Sequence, residues 1–490
     1  MSPAHPPALH VQRIGPTLRP DPSRVLMRPF RPTSDEIARR VAGRVTALPE
    51  AEVGRLLQEV LREFGSRHHA VEDFFRNRFR AVRDALGEGW TELSARRRAL
   101  IGAYFTHEYS PESAALFNPS IVPHPDQAGL PPGALRFILS LRATGEGHIS
   151  SITFRVGVIS ADHRVSLEPP VALAVEPERV PNALYETPLF ARKLDEAGVR
   201  NAFSRAVLGQ LGKTFTMDDL HRVLEQERGR TAESPAVADR AARGMLLLAE
   251  SNYEVRFDPA QPVSQRVIFP SSPSQSNGIE DARFVRFRED DGQAAYYATY
   301  TAYDGKIILP QLLETTDFVH FRFITLNGPA AQNKGMALFP RRIGGRYAML
   351  SRQDDENILL MTSDNLHFWE SPRVLLTPAQ PWEFVKIGNC GSPIETEAGW
   401  LVLSHGVGAM RKYCLGAFLL DLEDPSRVIG RLRQPLLSAV EGEREGYVPN
   451  VIYTCGAILQ GGELIIPYAM SDSATSFARV ALAELLRAME

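Results

Sequence analysis

"SNGIEDARF" at residues 276–284 leads shortly into "AAYYATYTAYDG" at 294–305, and this pair decides the class of fold. The second segment is rich in tyrosine and threonine and closes on an Asp-Gly turn signal, the composition of a strand leaving its sheet. Similar short runs recur on both sides: "ALRFILSLRA" (134–143), "ISSITFRVGVI" (149–159), "QRVIFP" (265–270), "RYAMLSR" (346–352), "NILLMTS" (357–363), "GWLVLSHGVG" (399–408), "YCLGAFLLDL" (413–422) and "ELIIPYAM" (463–470). Turn signals such as "DG", "GG" and "SDN" separate them. Many short strands at fairly regular spacing predict a sandwich, a barrel or a propeller.

The period is different elsewhere. Residues 1–33 are Pro-rich and read as irregular. From "TSDEIARRVAGRV" to "FFRNRFRAVRDAL" apolar residues recur at three and four spacing, with Ser34 and Asp35 as N-cap candidates, which predicts two or three helices within 34–105. Residues 106–490 then form the β domain, interrupted at about 186–250 by "LFARKLDEAGVRNAFSRAVLGQL" and "SPAVADRAARGMLLLAE", a helical insertion. Apolar positions such as Leu57, Phe75 and Phe79 need cover. The expectation is one helical layer against the β domain, which also makes a homo-oligomer contact.

Composition narrows the function classes. The 490 residues carry 55 basic and 58 acidic side chains, a net charge of −3, so no global field favours nucleic acid or an anionic membrane. Three cysteines, Cys390, Cys414 and Cys455, have no paired or metal-type spacing and suit a reducing compartment. The opening "MSPAHPPALHVQRIGP" has no signal-type apolar core, and no apolar run is long enough to span a bilayer. A cytoplasmic location, with no nucleic-acid or membrane partner, is the expectation.

Some charged residues sit in apolar strand context. Lys386 lies between Val385 and Ile387, where an unpaired ammonium is costly to bury. Lys334 in "QNKGMALFP" and Arg352 closing "RYAMLSR" pose the same question, and His405 is either a satisfied core histidine or a fourth member of the group. Phosphate suits such a cluster, because Arg and Lys make charge-assisted bonds to its oxygens. On the acidic side, Asp281 and Arg283 are either an ion pair closing a turn or, with Glu280, a poised acid beside tyrosines that could stack on sugar rings.

Nine motifs in order then resemble glycoside hydrolase family 130, the β-mannoside phosphorylases and their hydrolytic relatives. They are "NPSIV" (118–122), "LSLRA" (139–143), "GIEDARF" (278–284), "YYATYTAYDG" (296–305), "KGMALFPRRIGGRYAMLSR" (334–352), "VKIGNCGSPIETEAGWLVLSHGV" (385–407), "LGAFLLDLEDPSRVIGR" (415–431), "GYVPNVIYTCG" (446–456) and "PYAMSD" (467–472). The resemblance implies a mainly β fold, a five-bladed β-propeller carrying the helical N-terminal segment and the helical insertion. It places the general acid on Asp281, with Glu280 and Arg283 as support, and sugar contacts on Asn118, Arg142, Tyr303, Asp304 and Asp472. Phosphate binders fall on Lys334, Arg352, Lys386 and His405. Ala282 stands where the family pattern has Pro, and Gly335 where a polar residue is common.

What the resemblance implies chemically is an inverting phosphorylase that cleaves a β-linked mannosyl oligosaccharide with inorganic phosphate, giving α-mannose 1-phosphate. Phosphate is then a co-substrate and no cofactor or metal is expected. One carboxyl suffices, because phosphate arrives as an ionised nucleophile. An inverting β-mannosidase of the same fold is the alternative, with Glu356 or Glu395 as base; a non-catalytic carbohydrate-binding propeller is more remote.

Overall fold

The computed structural model describes residues 9–86, 92–169, 171, 173–181 and 183–489. The chain is mainly β. Among the described residues, five antiparallel meanders follow one another. The first runs through Ala115–Pro123, Leu135–Thr144, Ser150–Ile159 and Val165–Leu167. The second comprises Gly278–Arg288, Ala294–Tyr303, Ile308–Thr315 and His320–Thr325. A single parallel pairing of Gly278 with Ser150 fuses these two into one sheet. The third is Ala337–Leu338, Tyr347–Ser351, Ile358–Ser363 and Arg373–Leu376. The fourth is Lys386–Asn389, Gly399–Val407, Tyr413–Leu420 and Val428–Arg431. The last contains Ile452–Tyr453, Glu463–Met470 and Ala474–Ala481.

Apolar side chains knit each meander to the next. Phe154 of the first packs with Phe284 and Phe321 of the second. Phe287 and Leu312 then meet Met349 of the third, Leu350 meets Trp400 of the fourth, and Leu403 meets Ile466 of the fifth. The series returns to its start, because Ile465 and Phe477 share a cluster with Phe137 and Leu139 of the first. Strands that carry apolar residues on both faces, as Gly399–Val407 does along its whole buried length, suit sheets packed on both sides.

The N-terminal stretch departs from the expected irregular structure. Within 1–33, of which residues 1–8 lie outside the described residues, Gln12–Leu18 pairs with Ala474–Ala481 and Leu26–Pro29 pairs with Thr106–Tyr109. Arg24 is buried and donates to Glu112, which also pairs with Arg155, so the segment is fixed by charge as well as by strand pairing. A Pro-rich sequence hides such edge strands, since the pattern gives no alternation to detect.

Four helices, α1 (Asp35–Thr46), α2 (Glu50–Phe64), α3 (Val71–Leu86) and α4 (Ala95–Tyr104), stand where two or three were predicted; 87–91 lie outside the described residues. Ser34 is the cap of α1, its Oγ accepting from Ile37 N. The insertion holds α5 (Thr187–Glu196), α6 (Ala202–Gln210), α7 (Met217–Arg228) and α8 (Pro235–Glu250). The single layer is not what forms. Phe75, Phe79 and Leu100 centre one helical core, while Leu194, Phe203 and Met245 centre another. Each group buries its own amphipathic stripes, so neither needs the other for cover.

Candidate active site

Two β-bulges face each other across the first two meanders. The pairing register shifts between Phe117 and Ser120 and again between Glu280 and Arg283. Inside these bulges Asn118 has φ +47° and Asp281 φ +54°, the left-handed region that L-residues with side chains seldom adopt. Such backbone strain persists only where surroundings hold it. Here Asn118 Nδ2 donates to Asp281 Oδ1 at 2.6 Å, and Ser120 Oγ accepts from Phe284 N at 3.0 Å. Each bulge re-aims one side chain, and the two side chains meet.

Arg142 completes the acidic side. Its Nη2 donates to Glu280 Oε1 at 2.8 Å and its Nη1 to Asp281 Oδ1 at 3.3 Å, while Ser150 Oγ accepts from its Nε at 2.8 Å. Burial alone would push the Asp281 carboxyl up, but the charges of Arg142 and Lys334, the Asn118 bond and the charge of Arg283 outweigh it and hold the group below the usual carboxylate range. The sequence left this sign open. Asp472 goes the other way: burial, with repulsion from Asp281, pushes it up to about 6. It sits at φ +51° in the turn joining Glu463–Met470 to Ala474–Ala481.

Arg283 ties the acid to the remaining meanders. It is buried, and its Nη1 donates to the carbonyls of Gly335 (2.8 Å) and Asn389 (3.0 Å) while its Nη2 donates to Tyr453 Oη at 2.6 Å. Gly335 precedes the first strand of the third meander, and Asn389 and Tyr453 lie on the first strands of the fourth and fifth. Together with Asn118 and Asp281, the first strand of every meander or its approach delivers a group to one place. Of the two readings of Asp281 and Arg283, the turn-closing pair is therefore set aside: the guanidinium bonds to other strands.

The basic residues form a linked chain. Arg352 Nε donates to the Lys334 carbonyl at 3.2 Å, its Nη1 to His405 Nε2 at 3.2 Å, and Lys334 Nζ lies 3.9 Å from Glu280 Oε2. Because His405 Nε2 accepts, its proton is on Nδ1, which lies 3.9 Å from Cys390 Sγ. Burial, then Arg352, Arg283 and Lys386, push the imidazole well below its ordinary range. His405 is thus a neutral orienting group and adds no charge. Gly335 has a steric role: at φ +91°, a Cβ there would stand 2.3 Å from Arg352 Nε. A polar side chain at this position would displace the guanidinium.

Lys386 is already paired. Its Nζ lies 3.0 and 3.1 Å from the two carboxylate oxygens of Asp355, a residue the sequence reading passed over within "QDDEN". Tyr453 and Asn389 were missed as well, although both fall inside motifs quoted for the resemblance. Among the described residues no bond ties Tyr303 or Asp304 to the acid. Tyr303 Oη donates to the Gly305 carbonyl, and Asp304 Oδ1 accepts from Lys306 N and Ile307 N, so both shape the turn that ends their strand. A small opening adjoins the cluster, lined by Asp281, Arg283, Thr301, Lys334 and Gly335 among others.

A sequence profile described as beta-1,4-mannooligosaccharide phosphorylase, that of glycoside hydrolase family 130, matches residues 245–490. The chain belongs to glycoside hydrolase family 130. It is 35% identical over 215 residues, 42% of this chain and 69% of the relative, to 1,2-beta-oligomannan phosphorylase of Thermoanaerobacter sp. (strain X514). It is 31% identical to beta-1,2-mannobiose phosphorylase of Listeria innocua, across 46% of this chain and 63% of that one. With beta-1,4-mannooligosaccharide phosphorylase of Ruminococcus albus it shares 34% identity over 30% of this chain and 47% of the relative. A solved structure of the Listeria innocua beta-1,2-mannobiose phosphorylase in complex with beta-1,2-mannobiose aligns over 77% of this chain and 92% of that one, at 23% identity and a TM-score of 0.46. Family 130 membership makes the chain an enzyme acting on glycosides, and inorganic phosphate is the co-substrate of the family's phosphorylases. Asn118 and Arg142 lie outside the matched span, so the contacts they make with Asp281 are an independent observation.

Proposed function

We propose that the chain is an inverting β-mannoside phosphorylase whose five meanders close into a five-bladed propeller around the Asp281 cluster. The cyclic series of apolar clusters supports closure, and Arg283 bonding to three other meanders supports a common axis. The observation that carries the reaction is the adjacency of one strained carboxyl, Asp281, to the linked cations Lys334, Arg283 and Arg352.

In this reading the mannosyl unit sits against Asn118, Arg142 and Asp472. Asn118 Oδ1 is buried with no partner among the described residues, which leaves it free to accept from a sugar hydroxyl. Phosphate binds between Lys334, Arg352 and Lys386, with Arg352 oriented by His405. A phosphate oxygen attacks the anomeric carbon as the glycosidic C–O bond breaks on the opposite face. The proton of Asp281 passes, through the mannosyl 3-hydroxyl as the family resemblance implies, to the leaving sugar oxygen. The products are α-mannose 1-phosphate and the shortened sugar; with hydrogen phosphate as donor, its proton restores Asp281.

The ionised state of Asp281 in the free enzyme is compatible with this. Phosphate offsets the positive charges beside the carboxyl, which raises its affinity for a proton. Of the two bases considered for hydrolysis, Glu395 is poorly placed: it is held by Arg341 at 2.7 Å and faces Trp400, five residues and so roughly 17 Å along the strand from His405. Glu356 is exposed on the Asp354 turn. Incubation with β-1,2- and β-1,4-mannobiose, with and without phosphate, tests the assignment. Mannose 1-phosphate formed only with phosphate supports it, and free mannose without phosphate contradicts it.

A further inference from the structure

Tyr447 and His148 form an aromatic pair whose exposure the reaction chemistry does not explain. Their ring centroids are 5.3 Å apart with planes tilted by 31°. Tyr447 is 67% exposed and His148 is exposed as well. His148 lies two residues from the Ser150 that accepts from Arg142, and Tyr447 lies next to Val448, whose amide is bonded to the turn carrying Asp472. The His148 turn, with φ +58° at His148, lies between Arg142 and the Ser150 that accepts from it, and Tyr109 Oη anchors it through the Glu146 carbonyl at 3.0 Å. The Tyr447 loop rests on the turn carrying Asp472: Val448 N donates to the Ser471 carbonyl at 3.1 Å, and Ser471 Oγ donates to the Glu443 carbonyl at 2.7 Å. Any side chain on Gly446 would stand 2.3 Å from the Ser471 carbonyl oxygen, so the loop is seated closely.

The pair therefore bridges two anchored loops, one from the first meander and one leading into the fifth, outside Arg142 and Asp472. Tyr and His each present an apolar ring face with a polar tip, the kind of surface that suits a partner apolar on one side and wet on the other. A pyranose ring presents axial C–H groups that pack on an aromatic face, and a Tyr hydroxyl beside a His nitrogen offers hydrogen bonds at its edge.

We propose that Tyr447, braced by His148, is the platform for the acceptor sugar, the ring that departs when the glycosidic bond breaks. This rests on the β-mannoside reading and deepens it, by assigning length preference to two rim residues that touch neither the mannosyl unit nor phosphate.

Titration calorimetry in phosphate-free buffer compares wild type, Tyr447→Ala, Tyr447→Phe and His148→Ala, using as ligands β-1,2-mannobiose and α-mannose 1-phosphate, which fills the mannosyl and phosphate positions and leaves the acceptor position empty. The expected result is mannobiose binding weakened roughly 3–10-fold in Tyr447→Ala, near wild type in Tyr447→Phe and intermediate in His148→Ala, with mannose 1-phosphate unchanged. Equal weakening of both ligands, or no weakening of mannobiose in Tyr447→Ala, would overturn the platform. Product analysis of the wild type is run alongside. Release of free mannose with the mannobiose-selective loss intact would overturn phosphorolysis and leave the platform standing, whereas mannose 1-phosphate production without that selective loss would do the reverse. No binding of either ligand would overturn both.

Discussion

Arg352 Nη1 donates to His405 Nε2 at 3.2 Å, so the imidazole serves the site by aiming a guanidinium rather than by carrying charge. His405→Phe removes the acceptor and His405→Gln supplies another. A hydrogen bond to a charged group contributes about 1.5–3 kcal/mol, so the KM for phosphate should rise about 10–100-fold in the Phe variant and much less in the Gln variant. The KM for the mannoside should barely move. Equal rises for both substrates would contradict the assignment.

Asp281 is held ionised by the Arg142 and Lys334 charges, the Asn118 bond and Arg283, against the effect of burial. A general acid must carry its proton, so activity falls as pH rises through its pKa. Phosphate offsets those charges and raises that pKa, so the alkaline limb of kcat should lie at higher pH than that of kcat/KM. Asp281→Asn should lower kcat by at least about 100-fold and flatten both limbs. A pair of coincident limbs would show that phosphate does not tune the acid.

Asp355 competes for Lys386. The pair is partly exposed, with Asp355 54% accessible, and such bridges contribute about 0–1 kcal/mol. Asp355→Asn should therefore free the ammonium and lower the KM for phosphate by up to about fivefold. An increased KM would mean that Asp355 positions Lys386 instead of restraining it.

Asp472 opposes folding at neutral pH. Its carboxyl is pushed up from 3.8 to about 6 by burial and by Asp281. Because the folded state holds this proton more tightly, stability is greatest below the ordinary carboxylate pKa and is lost as pH rises through about 6. Asp472→Asn should thus stabilise the protein at pH 8 by about 2–3 kcal/mol while reducing activity, and a denaturant titration measures it. No gain at pH 8 would show that the charge is better solvated than its burial suggests.

Much of this was legible in the sequence because the strands announce themselves locally. "AAYYATYTAY" and "GWLVLSHGV" carry their own composition signals, and the acid falls in a motif with chemistry on its face. What escaped is long-range or backbone-determined. Asn118 and Asp281 meet across 163 residues through two bulges, and a bulge leaves no periodic trace. Asp355 looked like one carboxylate in an acidic turn, since sequence cannot say that Lys386 reaches it. The edge strand Gln12–Leu18 was hidden because its partner lies at the far end of the chain. Tyr303 and Asp304 share a motif with the acid, and their own hydrogen bonds shape the turn that ends their strand.

The most direct test of the account is the initial rate of β-1,2-mannobiose cleavage as phosphate is titrated to zero. A cation-lined site that recruits phosphate as nucleophile predicts a saturating curve through the origin, with one mannose 1-phosphate formed per bond broken. A finite rate at zero phosphate, with mannose as product, would contradict it.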